Sequence, residues 1–146
     1  MFIALAIAFA GEKNIAVSAL PAPIVAAINA NYAGATITEA STEVEKGVTE
    51  YEAEIKLGER SMDLAFTADG TLLEEEERMT LAALPAPVQA TIAGQSGWTM
   101  RRAERATAAG VTTYEVQLEQ GKKRIELFMD AAGVVKSKER IGHSED

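Results

Sequence analysis

The chain contains no cysteine and only one histidine, His143, among its 146 residues. Without thiols it forms no disulfide, thiolate nucleophile or thiolate metal site. One imidazole, close to the C-terminus, gives a Ser-His-Asp or Cys-His arrangement no base within a stable fold. Zinc and copper lack their usual ligands for the same reason, so no cofactor and no such metal is expected. Aromatics make up 5% of the chain, and Trp98 is the one tryptophan. Nucleic-acid binding needs a basic surface interleaved with stacking aromatics. The net charge is −8, which argues against nucleic acid as a partner. The unbroken apolar run from Phe2 to Ala10 falls well short of the ~20 residues a spanning helix needs. No stable membrane span is expected.

What the chain has instead is a repeat. Ala19-Leu20-Pro21-Ala22-Pro23-Ile24 returns as Ala83-Leu84-Pro85-Ala86-Pro87-Val88, and Gly47-Val48-Thr49-Glu50-Tyr51-Glu52 returns as Gly110-Val111-Thr112-Thr113-Tyr114-Glu115. The offset falls from 64 to 63, which places a one-residue deletion near Tyr32 to Gly34. Two units are expected, at residues 14–77 and 78–141, with a disordered tail at 142–146. Each alone would bury little surface. The Phe2–Ala10 run matches the apolar core of a secretory signal, and Ala8-Phe9-Ala10 matches a small-x-small cleavage pattern. Its basic leader is missing, and a core strand or helix is the alternative. The reading adopted is a secretory segment at 1–10 and a periplasmic or secreted protein.

Within each unit the elements follow from spacing. Leu20, Ile24, Ile28 and Tyr32 form one helical stripe, as do Leu84, Val88 and Ile92, with proline tolerated in the first turn. Tyr51, Ala53, Ile55 and Leu57 then alternate with charged residues, and Met62, Leu64 and Phe66 follow. A two-residue Gly58-Glu59 turn sets Ile55 opposite Met62, Ala53 opposite Leu64 and Tyr51 opposite Phe66. A one-residue slip would turn one apolar set out to solvent. Ala68-Asp69-Gly70 and Ala131-Ala132-Gly133 read as three-residue loops pairing Phe66 with Leu72 and Met129 with Val135. Thr36 to Glu45 and Thr99 to Thr107 read as weaker strands, with Ile37/Met100 and Ala40/Ala103 as their core residues. The fold class is α+β: two tandem α-β-β-β-β repeats, each a short helix packed on an antiparallel four-stranded meander whose other face is wet.

The residues Leu84, Pro85, Val88, Gly110, Tyr114, Glu115, Val116, Leu118, Gly121, Glu126, Leu127, Asp130, Gly133 and Val134 form a pattern that resembles the PepSY-like, β-lactamase-inhibitor-like domains. The first unit matches through Leu20, Pro21, Ile24, Ala35-Thr36-Ile37, Gly47, Tyr51, Glu52, Ile55, Gly58, Leu64 and Gly70, and departs at Thr67, where the second unit keeps Asp130. The resemblance implies an exported bacterial domain, often in tandem, with peptidase or β-lactamase inhibition suggested for relatives. It brings no catalytic motif, so a non-enzyme acting on a protein or peptide partner is expected.

Three features could carry binding. Glu54 falls opposite Asp63 with Glu52 diagonal to it; opposed like charges are unfavourable, and an oxygen-liganded cation such as calcium would relieve them. The alternatives are a solvated face or, least favoured, an acid/base pair. Trp98, in the place of Ala35, with Arg101 and Arg102 is a candidate partner anchor; the competing reading makes Trp98 a core filler. Residues 11–77 hold fourteen acids and four bases, and residues 78–146 eight acids and ten bases, balances of −10 and +2. That asymmetry could drive self-association or steer a partner. The Glu74–Glu77 run reads as a charged guard on a strand edge.

Overall fold

A computed structural model describes residues 11–142. The proposed secretory segment at 1–10, His143 and all of the proposed tail except Gly142 lie outside those residues. The chain divides into two compact units between Glu77 and Arg78. Among the described residues, no helix is long and apolar enough to cross a membrane.

Unit 1 consists of β1 (Lys13–Ile15), a 3₁₀ turn (Val17–Ala19), α1 (Ala22–Asn31), β2 (Thr36–Glu45), β3 (Val48–Leu57), β4 (Arg60–Thr67) and β5 (Leu72–Arg78). The five strands pair antiparallel in chain order. Unit 2 repeats the plan with a 3₁₀ turn (Leu81–Ala83), α2 (Ala86–Ala93), β6 (Thr99–Ala108), β7 (Val111–Gln120), β8 (Lys123–Met129) and β9 (Val135–Arg140). Its four strands pair in the same way. The expected helix-and-meander repeat is present twice. The addition is β1, a three-residue strand opposite Ser41 and its neighbours that the residue pattern does not predict. In unit 2 the Met79 N–H donates to the Ala103 carbonyl, which corresponds to Ile15 opposite Ala40.

The helices bury the expected stripes. Ile24, Ile28 and Leu20 in one unit, and Val88, Ile92 and Leu84 in the other, pack on Ala53, Ile55, Leu64 and Phe66 or on Val116, Leu118, Leu127 and Met129. Each fully buried branched side chain contributes about 1.5–3 kcal/mol, and a helix of eight or ten residues depends on that packing to form. Both helices have proline at their second position, where a missing N–H costs no hydrogen bond.

The registers agree with the residue pattern. Ile55 lies opposite Met62, Ala53 opposite Leu64 and Tyr51 opposite Phe66. Phe66 lies opposite Leu72, and Met129 opposite Val135. The turns at Gly58-Glu59 and Gly121-Lys122 have positive φ only at glycine, +62° and +58°, the II′ geometry. The β2–β3 and β6–β7 turns are type I′, with positive φ at Lys46 and Gly47 and at Ala109 and Gly110.

Bulges explain why β2 and β6 alternate poorly. Ile37 and Ala40 are three residues apart, and an unbroken strand would send them to opposite faces. The register shifts between Ile37 and Glu39, and again between Met100 and Arg102. The extra residue restores both side chains to the helix side, where Ala40 and Ala103 are buried and Ile37 and Met100 pack against the cores.

The face away from the helix is less wet than its polarity suggests. Ser41, Ala65, Glu74 and Glu76 in unit 1 and Glu104, Glu115, Glu126 and Phe128 in unit 2 are all buried. Strands lie about 4.8 Å apart, so long side chains from neighbouring strands lie over one another and cover short residues between them.

Candidate functional site

The three acids picked from the sequence do come together. Glu54 is opposite Asp63, and Glu52 is opposite Ala65 one step along. The bulge in β2 and the pairing of β5 extend the group. Glu39, Glu54, Asp63 and Glu76 form one row across four strands, with Ser41, Glu52, Ala65 and Glu74 in the next. Sequence reasoning missed Glu39, Glu74 and Glu76. Period-two alternation within Glu74–Glu77 could have found two of them, since it sends Glu74 and Glu76 to the same face as Asp63.

Electrostatics follow from this crowding. Burial, then the Asp63 carboxylate, then Glu12 push the Glu52 carboxyl up to about 7; the Ser41 hydroxyl opposes the shift, and Glu54 adds to it. Burial and then Glu50 push Glu74 up to about 7 as well. Desolvation and like charge both disfavour the ionised form. The corresponding face of unit 2 is largely neutralised. Arg102 pairs with Glu104, Arg78 lies 4.0 Å from the same carboxylate, and the Gln117 amide donates to Glu126 at 3.1 Å.

On the helix side, unit 1 carries an internally paired group. The Tyr32 hydroxyl donates to Glu75, and Arg60 donates to both oxygens of Glu77 at 2.7 and 3.0 Å. Burial, and then the bond to Glu75, raise the Tyr32 hydroxyl above its ordinary range. The Glu74–Glu77 run is therefore not a solvated guard. Glu74, Glu76 and Glu77 are buried, while Glu75 and Glu77 are held by Tyr32 and Arg60. Alternation splits the four glutamates between two faces with different neighbours.

The third loop of each unit is held by a carboxylate from a different position. Asp69 accepts from the Thr71 N–H at 3.1 Å and from the Thr67 hydroxyl at 2.5 Å. In unit 2, Asp130 accepts from the Ala132 and Val134 N–H groups at 3.0 and 3.1 Å, and Lys136 pairs with it at 3.1 Å. The departure at Thr67 moves the acceptor two residues along the same loop.

Trp98 and the two arginines are placed apart. Trp98 is half-buried against the Leu84–Val88–Ile92 core and lines a groove of about 520 Å³ with Lys123, Arg124, Ile125, Lys138 and Arg140. Arg101 and Arg102 line a smaller recess of about 290 Å³ with Arg78, Met79 and Met100. Arg101 sits in the bulge, and Arg102 beyond it falls opposite Gln117, on the polar face.

Comparison with known proteins agrees with this geometry. The family described as "Putative beta-lactamase-inhibitor-like, PepSY-like" matches twice, at residues 10–74 and 61–137. A BLIP-like protein from Bacteroides fragilis superposes with a TM-score of 0.69 at 24% identity, covering 86% of this chain and 90% of its own. A "putative periplasmic" protein from Bacteroides eggerthii gives 0.72 at 16% identity, covering 83% and 88%. At these identities the superpositions report fold. No curated protein matches the sequence. With two overlapping family matches spanning most of its length, and a helix-and-meander unit built twice, the chain belongs to the PepSY-like family.

Proposed function

We propose that the chain is a non-enzymatic binding module of the bacterial envelope, exported to the periplasm or beyond, which acts on a protein or peptide partner through its sheet faces and hairpin tips. The observation that carries this reading is the row Glu39–Glu54–Asp63–Glu76. Four acids side by side on adjacent strands make this face strongly acidic, and a partner with a basic surface would complement it. The tips beside the type I′ turns add exposed apolar residues, with Val44 at 67% and Val48 at 51% exposure. Family resemblance favours an inhibitor-type contact, and the structural neighbours favour a periplasmic setting.

The test is capture from periplasmic extract on immobilised protein, with Glu54→Gln/Asp63→Asn and Trp98→Ala/Arg101→Ala variants in parallel. A protein retained by the parent chain and lost on either variant supports the reading. An empty eluate counts against it.

A second reading has its own observation. Glu52 and Glu74 flank Ala65 with carboxyls near neutrality, and oxygen-only ligands suit a hard cation such as calcium. Calorimetry with calcium chloride at pH 7.5 tests it. No heat and no thermal shift would end it.

A further inference from the structure

The two units place opposite chemistry at equivalent points on their helix sides. Leu64 is opposite Glu75 and Met62 opposite Glu77, while Leu127 is opposite Lys138 and Ile125 opposite Arg140. Every residue of the second set is 63 positions after its counterpart, and Lys123 stands in the same relation to Arg60. In unit 1 the carboxylates of this corner find partners within it, through the Tyr32–Glu75 hydrogen bond and the Arg60–Glu77 ion pair. In unit 2 the carboxylates have become Lys138 and Arg140, the arginine has become Lys123, and Ala35 has become Trp98. Lys123, Lys138 and Arg140 make no ion pair among the described residues.

These three cations and the Trp98 ring line the groove of about 520 Å³, with Glu139 its only acid among the described residues. Beside it runs β9, exposed along all six residues and paired only with β8 among the described residues. One row of its N–H and C=O groups is open to a further strand.

We propose that this groove docks an extended acidic segment of another polypeptide, which pairs with β9, sets an apolar side chain on Trp98 and supplies the carboxylates that Lys138, Arg140 and Lys123 lack. The chemistry comes in three parts. An open sheet edge offers main-chain hydrogen bonds to any extended chain, and alternate side chains give specificity. Unpaired cations select acidic residues and speed encounter. A half-buried tryptophan is a favoured anchor at protein interfaces. The proposal rests on the reading of the chain as a binding module and names which surface does the binding.

Trp98 is the chain's only tryptophan, so its emission reports on the groove directly. The probe is the acetylated, amidated peptide Glu-Ile-Glu-Phe-Glu-Ile-Glu, titrated into the full chain at low salt. Expected is a saturable change in Trp98 emission that weakens with salt. Affinity should fall about tenfold in Lys138→Glu/Arg140→Glu, about 1.4 kcal/mol, and hold in Lys13→Ala/Lys56→Ala. Unchanged emission, equal binding of the Gln-for-Glu peptide, or undiminished binding by the charge-reversed variant would overturn the proposal. So would saturation by inorganic phosphate or by phosphatidylglycerol vesicles alone, which would mark a general anion site. A dimer in sedimentation that the charge-reversed variant dissociates would make the occupant a second copy and also overturn it. If the parent chain captures an envelope protein that the charge-reversed variant retains equally well, the groove assignment fails while the binding-module reading stands.

Discussion

Gly70 sits against the carbonyl oxygen of Pro23, so closely that a β-carbon at position 70 would come within 2.6 Å of it. Gly133 stands in the same relation to Pro87. The duplicated Leu-Pro-Ala-Pro stretch thus starts each helix and also seats its first turn on the loop between the last two strands. Both glycines have positive φ, +87° and +74°, where a side chain is strained in any case. Strain and backbone clash together should cost Gly70→Ala and Gly133→Ala about 3 kcal/mol each. Gly58→Ala, with nothing within 4 Å of its added carbon, should cost only about 1 kcal/mol. Urea unfolding of the three variants checks the order, and equal losses would remove the loop–helix contact from the account.

Ala109 has φ of +49° in a turn where both central residues are left-handed. Asparagine tolerates that region far better than alanine. Ala109→Asn should stabilise the protein by about 0.5–1 kcal/mol, read as a raised unfolding midpoint with an unchanged denaturant slope.

The Tyr32–Glu75 bond lies half-buried beneath the end of α1. Tyr32→Phe leaves the Glu75 carboxylate without its donor and should cost about 1–2 kcal/mol. Arg60 is about half exposed, so Arg60→Ala should cost less than about 1 kcal/mol despite its two hydrogen bonds. Thermal unfolding of both variants tests the ranking.

How much of this was legible in the sequence differs from residue to residue. The pairing of Tyr51 with Phe66 could be read because a two-residue glycine turn and strict alternation leave one register. Ile37 and Ala40 could be read as core but not as one strand, because the bulge between them breaks the period that identifies a strand. Lys13–Ile15 is too short to show any period. The association of Trp98 with Lys138 and Arg140 was hidden for another reason. It joins residues 40 and 42 positions apart, through the register of β8 with β9 and the packing of Trp98 against the helix core. Proximity in sequence suggested Arg101 and Arg102 instead, and the bulge carries those two away.

Stability should fall as pH rises toward neutrality. Glu52 and Glu74 have folded-state carboxyls near 7, above the ordinary value of about 4.3. The folded state therefore favours their protonated forms. Their contribution is complete below about pH 4.3 and is lost as pH rises through about 7. The unfolding temperature should drop between pH 5 and 7.5, and Glu52→Gln/Glu74→Gln should flatten that drop and raise stability at pH 7.5. An equally steep drop in the double variant would mean that other groups set the slope.

The bulges at Thr38 and Arg101 have a further consequence. They occur 63 positions apart, the spacing that relates the rest of the two sheets, so both copies carry the same single-residue phase shift. Deleting Thr38 or Arg101 would restore unbroken alternation with Ile37 and Ala40, or Met100 and Ala103, still on the helix side, so the core does not need the extra residue to keep its facing. Two units whose charges have moved to opposite signs have kept this irregularity in common. What differs between the two units is the electrostatics laid over one shared backbone plan.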